Sequence, residues 1–537
     1  MAKNSLYDRL IKTSVENCAA MIDSIAHPIP FQVLQSQLRA RWRNVQEFDN
    51  EDADIVVIPS LSLDQRELLK VAGFHHYEER LLFSLIRLRN PRTRLIYITS
   101  QPLHPSIIDY YLQLLPGIPF SHARDRLLLL STYDGSLKSL TQKILDRPRL
   151  LERIRQAVNS DRAYMICYNA TDLERDLSEK LGIPLFASDP ALLEWGTKSG
   201  SRGVFEESGI PFPDGTPLVH SAAELAEAAA EVWARNPEVQ RLVVKLNEGF
   251  SGEGNAILDL RGLEAHAYSD RVVQIREQLP HLKFEAAGEQ WDNYCQQIEE
   301  LGAIAEVFIE GDEKFSPSVQ ARITPLGKVE ILSTHDQILG GPTGQMYLGC
   351  RFPADAAYRL QLQEMGEKVG QVLAQKGVLE RFGVDFVTVR QGDGWKTWAI
   401  EINLRKGGTT HPFMTLKFLT NGSYDRTTGL FQSRHRQAKY YMATDNLQSP
   451  QYRGLLPNDL MDIVANHQLH FDTSTETGTV FHLMGCLSEF GKLGVTSIGN
   501  SPEEAEAIYR RVVQVLDQET RGEQSLQHEH YSMYWNR

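Results

Sequence analysis

The chain has 537 residues, too many for one ordinary core, so two or three domains are expected. A hydrophobic share of 42%, a charged share of 23% and a net charge of −13 fit a soluble globular protein and exclude a broad nucleic-acid-binding face. Five cysteines without a CxxC pair exclude the usual zinc spacings and a disulfide framework.

The N-terminus is polar, without the apolar stretch of a signal peptide, and no apolar run nears the roughly 20 residues of a membrane span. A cytoplasmic protein that meets neither membrane nor nucleic acid is expected. The first third then alternates strand-like and helix-like runs. Ala53–Pro59 (ADIVVIP), Arg94–Ser100 (RLIYITS), Arg126–Tyr133 (RLLLLSTY) and Ala163–Thr171 (AYMICYNAT) are compact apolar stretches of strand length. Asp64–Arg89 has helical spacing broken near Gly73, and His104–Gly117 and Asp172–Gly182 are two further helices. Such alternation predicts a mainly parallel sheet with helices on its faces, a Rossmann-like α/β domain over residues 1–190. It has no G-x-G-x-x-G loop, so a substrate or structural role is expected there rather than a nucleotide site.

Residues 191–435 carry most of the chemically suggestive motifs and form the expected core; within them the acidic stretch Asp259–Gly302 reads as a surface-helix excursion. Residues 436–537 read as a small C-terminal α+β domain ending in a helix, with Ser501 and Glu504 as a capping box around Pro502.

Three motifs in the core bear on chemistry. In RLVVKLNEGFSGEGN (Arg241–Asn255), Lys245 ends an apolar strand and a loop with Gly249, Gly252 and Gly254 follows. Backbone freedom at that density fits either a phosphate cradle or a plain hairpin turn, and the lysine precedes the glycines, unlike a Walker A loop. In AEVFIEGDEKF (Ala305–Phe315), Glu306, Val307, Phe308 and Ile309 read as a strand ending at Gly311, with Glu313 just beyond. Taken alone it is an ordinary strand and turn, or one edge of an adenosine site. The third motif, GVDFVTVRQGDGWKTWAIEINLRKGG (Gly383–Gly408), reads as a β-hairpin turning at Gly392–Gly394. Glu401 and Asn403 are two apart and share a face, onto which pairing can bring Asp385. These are hard oxygen ligands suited to Mg²⁺, and apolar neighbours Trp398, Ile400 and Ile402 disfavour a merely solvated face.

In this order and spacing the motifs resemble the ATP-grasp superfamily. GTKSGSRGVFEESGIPFPDG (Gly196–Gly215) looks like that family's lysine-bearing helix and "GIPxP" entry. The resemblance implies two α+β lobes around ATP, with Lys198 and Lys245 on the nucleotide, Glu306, Phe308 and Ile309 in the adenine linker, Glu313 at the ribose and Gly252 in a closing loop. It implies Asp385, Glu401 and Asn403 as Mg²⁺ ligands. YEERLLF, ITSQPLHPSIIDYYL, KILDRPRLLERI and TKSGSR are similar to the pheganomycin-type peptide ligases, over nearly the whole chain. That similarity implies ligation of an amino-acid-like carboxylate to the amine of an amino acid or peptide, through an acyl phosphate, with self-association left open. Better-known dipeptide ligases carry arginine where this chain has Gly383, so Arg322 and Arg405 become the candidates for neutralising transition-state charge. An ATP-grasp enzyme with another acceptor, carboxylase or ester-forming, and a non-catalytic ATP-binding module are the alternatives.

Overall fold

The computed structural model describes residues 29–43, 51–63, 65–115, 117–249, 254–264, 267–286, 288–340, 344 and 346–534. Four apolar runs form a parallel sheet: β1 (Asp54–Ile58), β2 (Arg94–Thr99), β3 (Leu127–Ser131) and β4 (Ala163–Cys167), in the order β3-β2-β1-β4. Covered on both faces, β1 and β4 are buried throughout, whereas β3 at the edge is half exposed. The chain crosses from one side of β1 to the other between β3 and β4, so the strand order reverses beside β1 and β4. Gly73 adopts φ 73° and separates the helix Gln65–Lys70 from the 3₁₀ run Phe74–Arg89. Its missing side chain also makes room for Cys486.

A second, antiparallel sheet joins β5 (Arg241–Leu246), β6 (Asn255–Asp259), β7 (Lys283–Phe284) and β8 (Ala303–Val307) in the order β7-β6-β5-β8. Helices Ala222–Arg235, Tyr268–Gln278 and Trp291–Leu301 cover it, burying Trp233, Ile275, Tyr294 and Ile298 with Leu242, Val244 and Ala256. The stretch 259–302 is therefore part of this lobe's core, not an outlying excursion. Its anchors are few, Tyr294 and Ile298 lying one helical turn apart in otherwise polar sequence.

The third sheet has 11 strands. Its strands are β9 (Lys314–Phe315), β10 (Pro317–Ile323), β11 (Val329–Gly340), β12 (Met346–Phe352), β13 (Glu380–Gln391), β14 (Gly394–Asn403), β15 (Ser423–Asp425), β16 (Leu430–Gln432), β17 (Ala438–Gln448), β18 (Gly478–His482) and β19 (Lys492–Gly499). The main path is β14-β13-β10-β11-β12-β17-β16-β15; β19 pairs with β17 and β18, and β9 pairs with β13. The sheet crosses the boundary expected at 435, because Ala443 of β17 sits opposite Cys350 of β12. One face packs the helix Arg359–Gln375 through Leu362, Met365, Val369 and Leu373. The other receives the buried helix Thr410–Thr420 and the N-terminal domain, in one core running from Leu85 and Tyr97 through Phe413 to Val495 and Leu516. The final helix, Pro502–Tyr534, starts as its capping residues require: Glu504 N–H donates to Ser501 Oγ at 3.1 Å, and Asn500 N–H to the Glu504 carboxylate at 2.6 Å. Among the described residues no helix is long and apolar enough to cross a membrane.

Candidate active site

The hairpin β13–β14 pairs Asp385 with Glu401 and Gly383 with Asn403, so the three oxygen-bearing side chains project from one face. Val384, Phe386 and Ile402 alternate onto the opposite, buried face against the helix Arg359–Gln375. Asp385 accepts hydrogen bonds from Asn403 Nδ2 at 2.8 Å and from Gln337 Nε2 of β11 at 2.6 Å. Glu401 takes the Lys198 ammonium at 2.5 Å.

Lys198 is held there by local structure. It opens the helix Lys198–Ser208, whose N-cap Thr197 accepts from Gly200 N–H at 3.1 Å. Asn247, two residues after Lys245, takes the next orphan amides: its backbone oxygen accepts from Lys198 N–H and its side chain from Ser199 N–H, both at 3.0 Å. Ser201 Oγ then accepts from Ile402 N–H at 3.1 Å, which sets the helix in register along β14.

Lys245 points from β5 to Glu306 of β8 at 2.5 Å, and Arg202 reaches the other Glu306 oxygen at 2.7 Å. Lys245 is 4% exposed and Glu306 2%, so one carboxylate serves two cations in a dry setting. Gly215 lies against Glu306 where an added Cβ would sit 2.6 Å from the Ala305 oxygen, closing the segment onto β8.

Burial, and then the charge of Glu401, push the Asp385 carboxyl up to about 6. Burial also opposes ionisation of Glu401, but Lys198, with Lys245 and Arg405 beyond it, holds that carboxyl below its ordinary value. Among the described residues no three His, Cys, Asp or Glu side chains cluster to hold a metal. Two carboxylates and an amide remain, the donor set of a hard cation that completes its shell with phosphate and water oxygens. The residues fit Mg²⁺ in that sense, and a cation would relieve the charge that Glu401 imposes on Asp385.

The other expected residues separate. Strand β8 ends at Val307 rather than Ile309, although Phe308 N–H still donates to the Arg241 oxygen at 3.1 Å. The Phe308 ring has Arg241 over it at 4.0 Å and Lys314 at 4.1 Å, and Lys314 donates to the Ile309 oxygen at 3.3 Å. Glu313 is exposed, 3.6 Å from Arg390, immediately before β9, which pairs with β13. Arg405, two residues past Asn403, adds positive charge at both Asp385 and Glu401. Arg322 shares the face but lies opposite Arg381, four residues along β13 from Asp385, and pairs with Glu330 at 2.8 Å. Gly252 lies outside the described residues. Sequence reasoning missed Arg202, Gln337 and Asn247. Asn247 had a signal in its place two residues after Lys245; Gln337 and Arg202 are brought in by strand pairing and helix packing alone.

The chain is 30% identical over 474 residues to the L-propargylglycine–L-glutamate ligase of Streptantibioticus cattleyicolor, covering 86% of this chain and 93% of that one. It belongs to that ligase's family, within the ATP-grasp superfamily. Residues 191–283 and 267–427 match the family described as IQCH-like, ATP-grasp, and residues 459–512 match the PGM1 C-terminal domain. The ATP-grasp chain is also 22% identical to IQ motif-containing protein H of Danio rerio, spanning 50% of that longer protein. Among solved structures, the biotin carboxylase domain of Hydrogenobacter thermophilus 2-oxoglutarate carboxylase, solved with ADP and bicarbonate, shares the fold. The TM-score is 0.52 at 13% identity, over 86% of the ATP-grasp chain and 89% of that structure.

Proposed function

We propose that this protein uses ATP to activate an amino-acid-like carboxylate as an acyl phosphate and joins it to the amine of an amino acid or peptide, releasing ADP and phosphate. The observation that carries this reading is the convergence of two buried lysines, each on a carboxylate, with the Asp385, Glu401 and Asn403 face. The named ligase relative joins two amino acids by its name, and its similarity runs through all three regions of this chain.

In this reading a carboxylate oxygen of the donor attacks the γ-phosphorus of ATP and ADP leaves; the amine then attacks the acyl carbon and phosphate departs with the C–O electron pair. Lys198 and Lys245 hold phosphate charge in a dry cleft, where point charges act most strongly. Glu306 keeps Lys245 and Arg202 in place, which makes it a positioning residue. Asp385, Glu401 and Asn403 would hold Mg²⁺, which neutralises phosphate oxygens and orients the transferring group when bound. Arg405 is assigned to the oxyanion that develops as the amine attacks. Arg322, engaged with Glu330, is assigned to the ion pair instead. Phe308 and Ile309 would line the adenine, and Glu313 would receive the ribose at the lobe junction.

Incubation with ATP, Mg²⁺, amino acids as donors and hydroxylamine as a general acceptor tests the reading. ADP together with an amino-acid hydroxamate is expected. AMP and pyrophosphate would mean adenylation and would overturn it.

A further inference from the structure

One position on the face that carries Asp385, Glu401 and Asn403 has no side chain. Gly383, two residues before Asp385 on β13, lies opposite Asn403 of β14 on one side and Gln320 of β10 on the other. Neither the backbone nor the packing requires glycine there. Gly383 is not among the glycines of positive φ, and a Cβ added to it would meet only ordinary contacts, the Val319 oxygen at 3.7 Å and Asn403 Cβ at 3.9 Å. Its chain neighbours Phe382 and Val384 are buried, whereas Gly383, Asp385 and Asn403 are all half-buried. The space over the glycine therefore opens on the side of the oxygen-bearing residues.

The wall of that space holds an unused donor. Gln320 is 5% exposed, and its Nε2 makes no hydrogen bond. The other end of the amide is fixed: Thr410 Oγ1 accepts from Gly407 N–H at 3.1 Å, so its own proton goes to Gln320 Oε1 at 3.2 Å. That bond leaves Nε2 as the unsatisfied end. Ser333, opposite Gln320 on β11, also has an unpaired hydroxyl, so neither side chain completes the other. A buried donor without a partner costs about 1–3 kcal/mol, and a partner that arrives with the substrate removes that cost. The helix Thr410–Thr420 starts beside this amide with no side chain capping its first turn, which adds positive potential at the same place.

We propose that the donor carboxylate is activated over Gly383, and that Gln320 Nε2 donates to the oxygen that stays on its carbon. The other carboxylate oxygen bonds to the γ-phosphorus as the bond from phosphorus to the ADP oxygen breaks. When the amine attacks the acyl carbon, the C=O electron pair moves onto the oxygen held by Gln320. It returns as the bond to phosphate breaks, and the amine proton leaves with the phosphate. Gln320 is then a catalytic residue of both steps, a neutral donor that works with the charge of Arg405. The proposal rests on the ligase reading.

The test follows ADP release and hydroxamate formation with ATP, Mg²⁺, a panel of proteinogenic amino acids and hydroxylamine, using the full chain and its Gln320→Met and Gly383→Val variants. Gln320→Met keeps the volume and removes the donor. Its kcat is expected to fall about 100- to 1,000-fold, the range for one lost oxyanion donor, with the KM for ATP and the melting temperature near those of the wild type. Gly383→Val suits a strand but fills the space, so it should raise the KM for the amino acid about 10- to 100-fold and leave that for ATP unchanged. Hydroxamate formation by Gln320→Met at the wild-type rate overturns the proposal. So does a loss in that variant accompanied by a lowered melting temperature and a raised KM for ATP, which would make the amide a structural tie joined to Ser333 through water. An unchanged amino-acid KM in Gly383→Val places the donor elsewhere and overturns it as well. In each of these outcomes the wild type still forms hydroxamate and the ligase reading stands; absence of ADP from the wild type with every amino acid removes both.

Discussion

At Glu401 burial and charge pull in opposite directions, and the Lys198 ammonium decides the outcome in favour of the carboxylate. Glu401→Gln keeps the shape and a hydrogen-bond acceptor but removes that charge. ATP turnover is expected to fall about 100- to 1,000-fold, in the range seen when one preorganised electrostatic group is lost, with the thermal unfolding midpoint changed little. Turnover at the wild-type rate would sink the metal assignment. On the 3₁₀ run Phe74–Arg89, Glu78 is buried, accepting from Ser100 Oγ at 2.6 Å and from Ser100 N–H. Burial pushes its carboxyl from 4.5 up to about 7, against the Ser100 hydrogen bonds and the Lys143 charge that favour ionisation. The folded state then binds a proton that the unfolded chain has released, so this group's contribution to stability is present below pH 4.5 and lost as pH rises through about 7. The loss is at most about 3 kcal/mol. Melting curves at several pH values check it: Glu78→Gln should gain on the wild type between pH 5 and 8, and a difference that does not vary with pH would refute the assignment.

Among the elements, the helix Arg359–Gln375 shows how far the site depends on packing beneath it. Gly370 faces the sheet where an added Cβ would stand 2.6 Å from Val329 and 3.0 Å from Phe382, and Gly366 does the same against Val319 at 2.7 Å. Two glycines cost helix propensity and in return let the helix seat on β10, β11 and β13, behind the face that carries Asp385. Gly370→Leu is expected to destabilise by about 1–3 kcal/mol through overpacking, read as a lower denaturant midpoint. An unchanged midpoint would mean that the sheet yields there freely. The hairpin β13–β14 was legible from its alternation and its Gly-Asp-Gly turn, because pairing in a hairpin is local and Asp385, Glu401 and Asn403 needed only that. The carboxylate under Lys245 was not legible. Glu306 belongs to β8, and it meets Lys245 and Arg202 only because β5 pairs with β8 and the helix Lys198–Ser208 lies across them.

For the molecule as a whole, the 11-stranded sheet is the decisive feature, since β17 to β19 complete it from beyond residue 435. A chain ending at residue 435 would expose the edge of β12 and the apolar face that Val480, Val495 and Leu516 cover. Such a fragment is expected to aggregate on expression; a soluble fragment with a cooperative melt would show that residues 1–435 fold without the rest. Apolar runs, turn residues and caps are properties of neighbouring residues, so the sequence by itself determined the parallel sheet, the hairpin that carries Asp385, Glu401 and Asn403, the lysine-bearing helix and the family resemblance. Tertiary structure alone decided that Lys198 falls on Glu401, that Arg322 goes to Glu330, and that the last hundred or so residues belong to the central sheet. It alone brought Arg80 to Asp445 across 365 residues of chain. Those pairings join residues far apart in sequence, and burial inside one shared core, which no local pattern records, selects them.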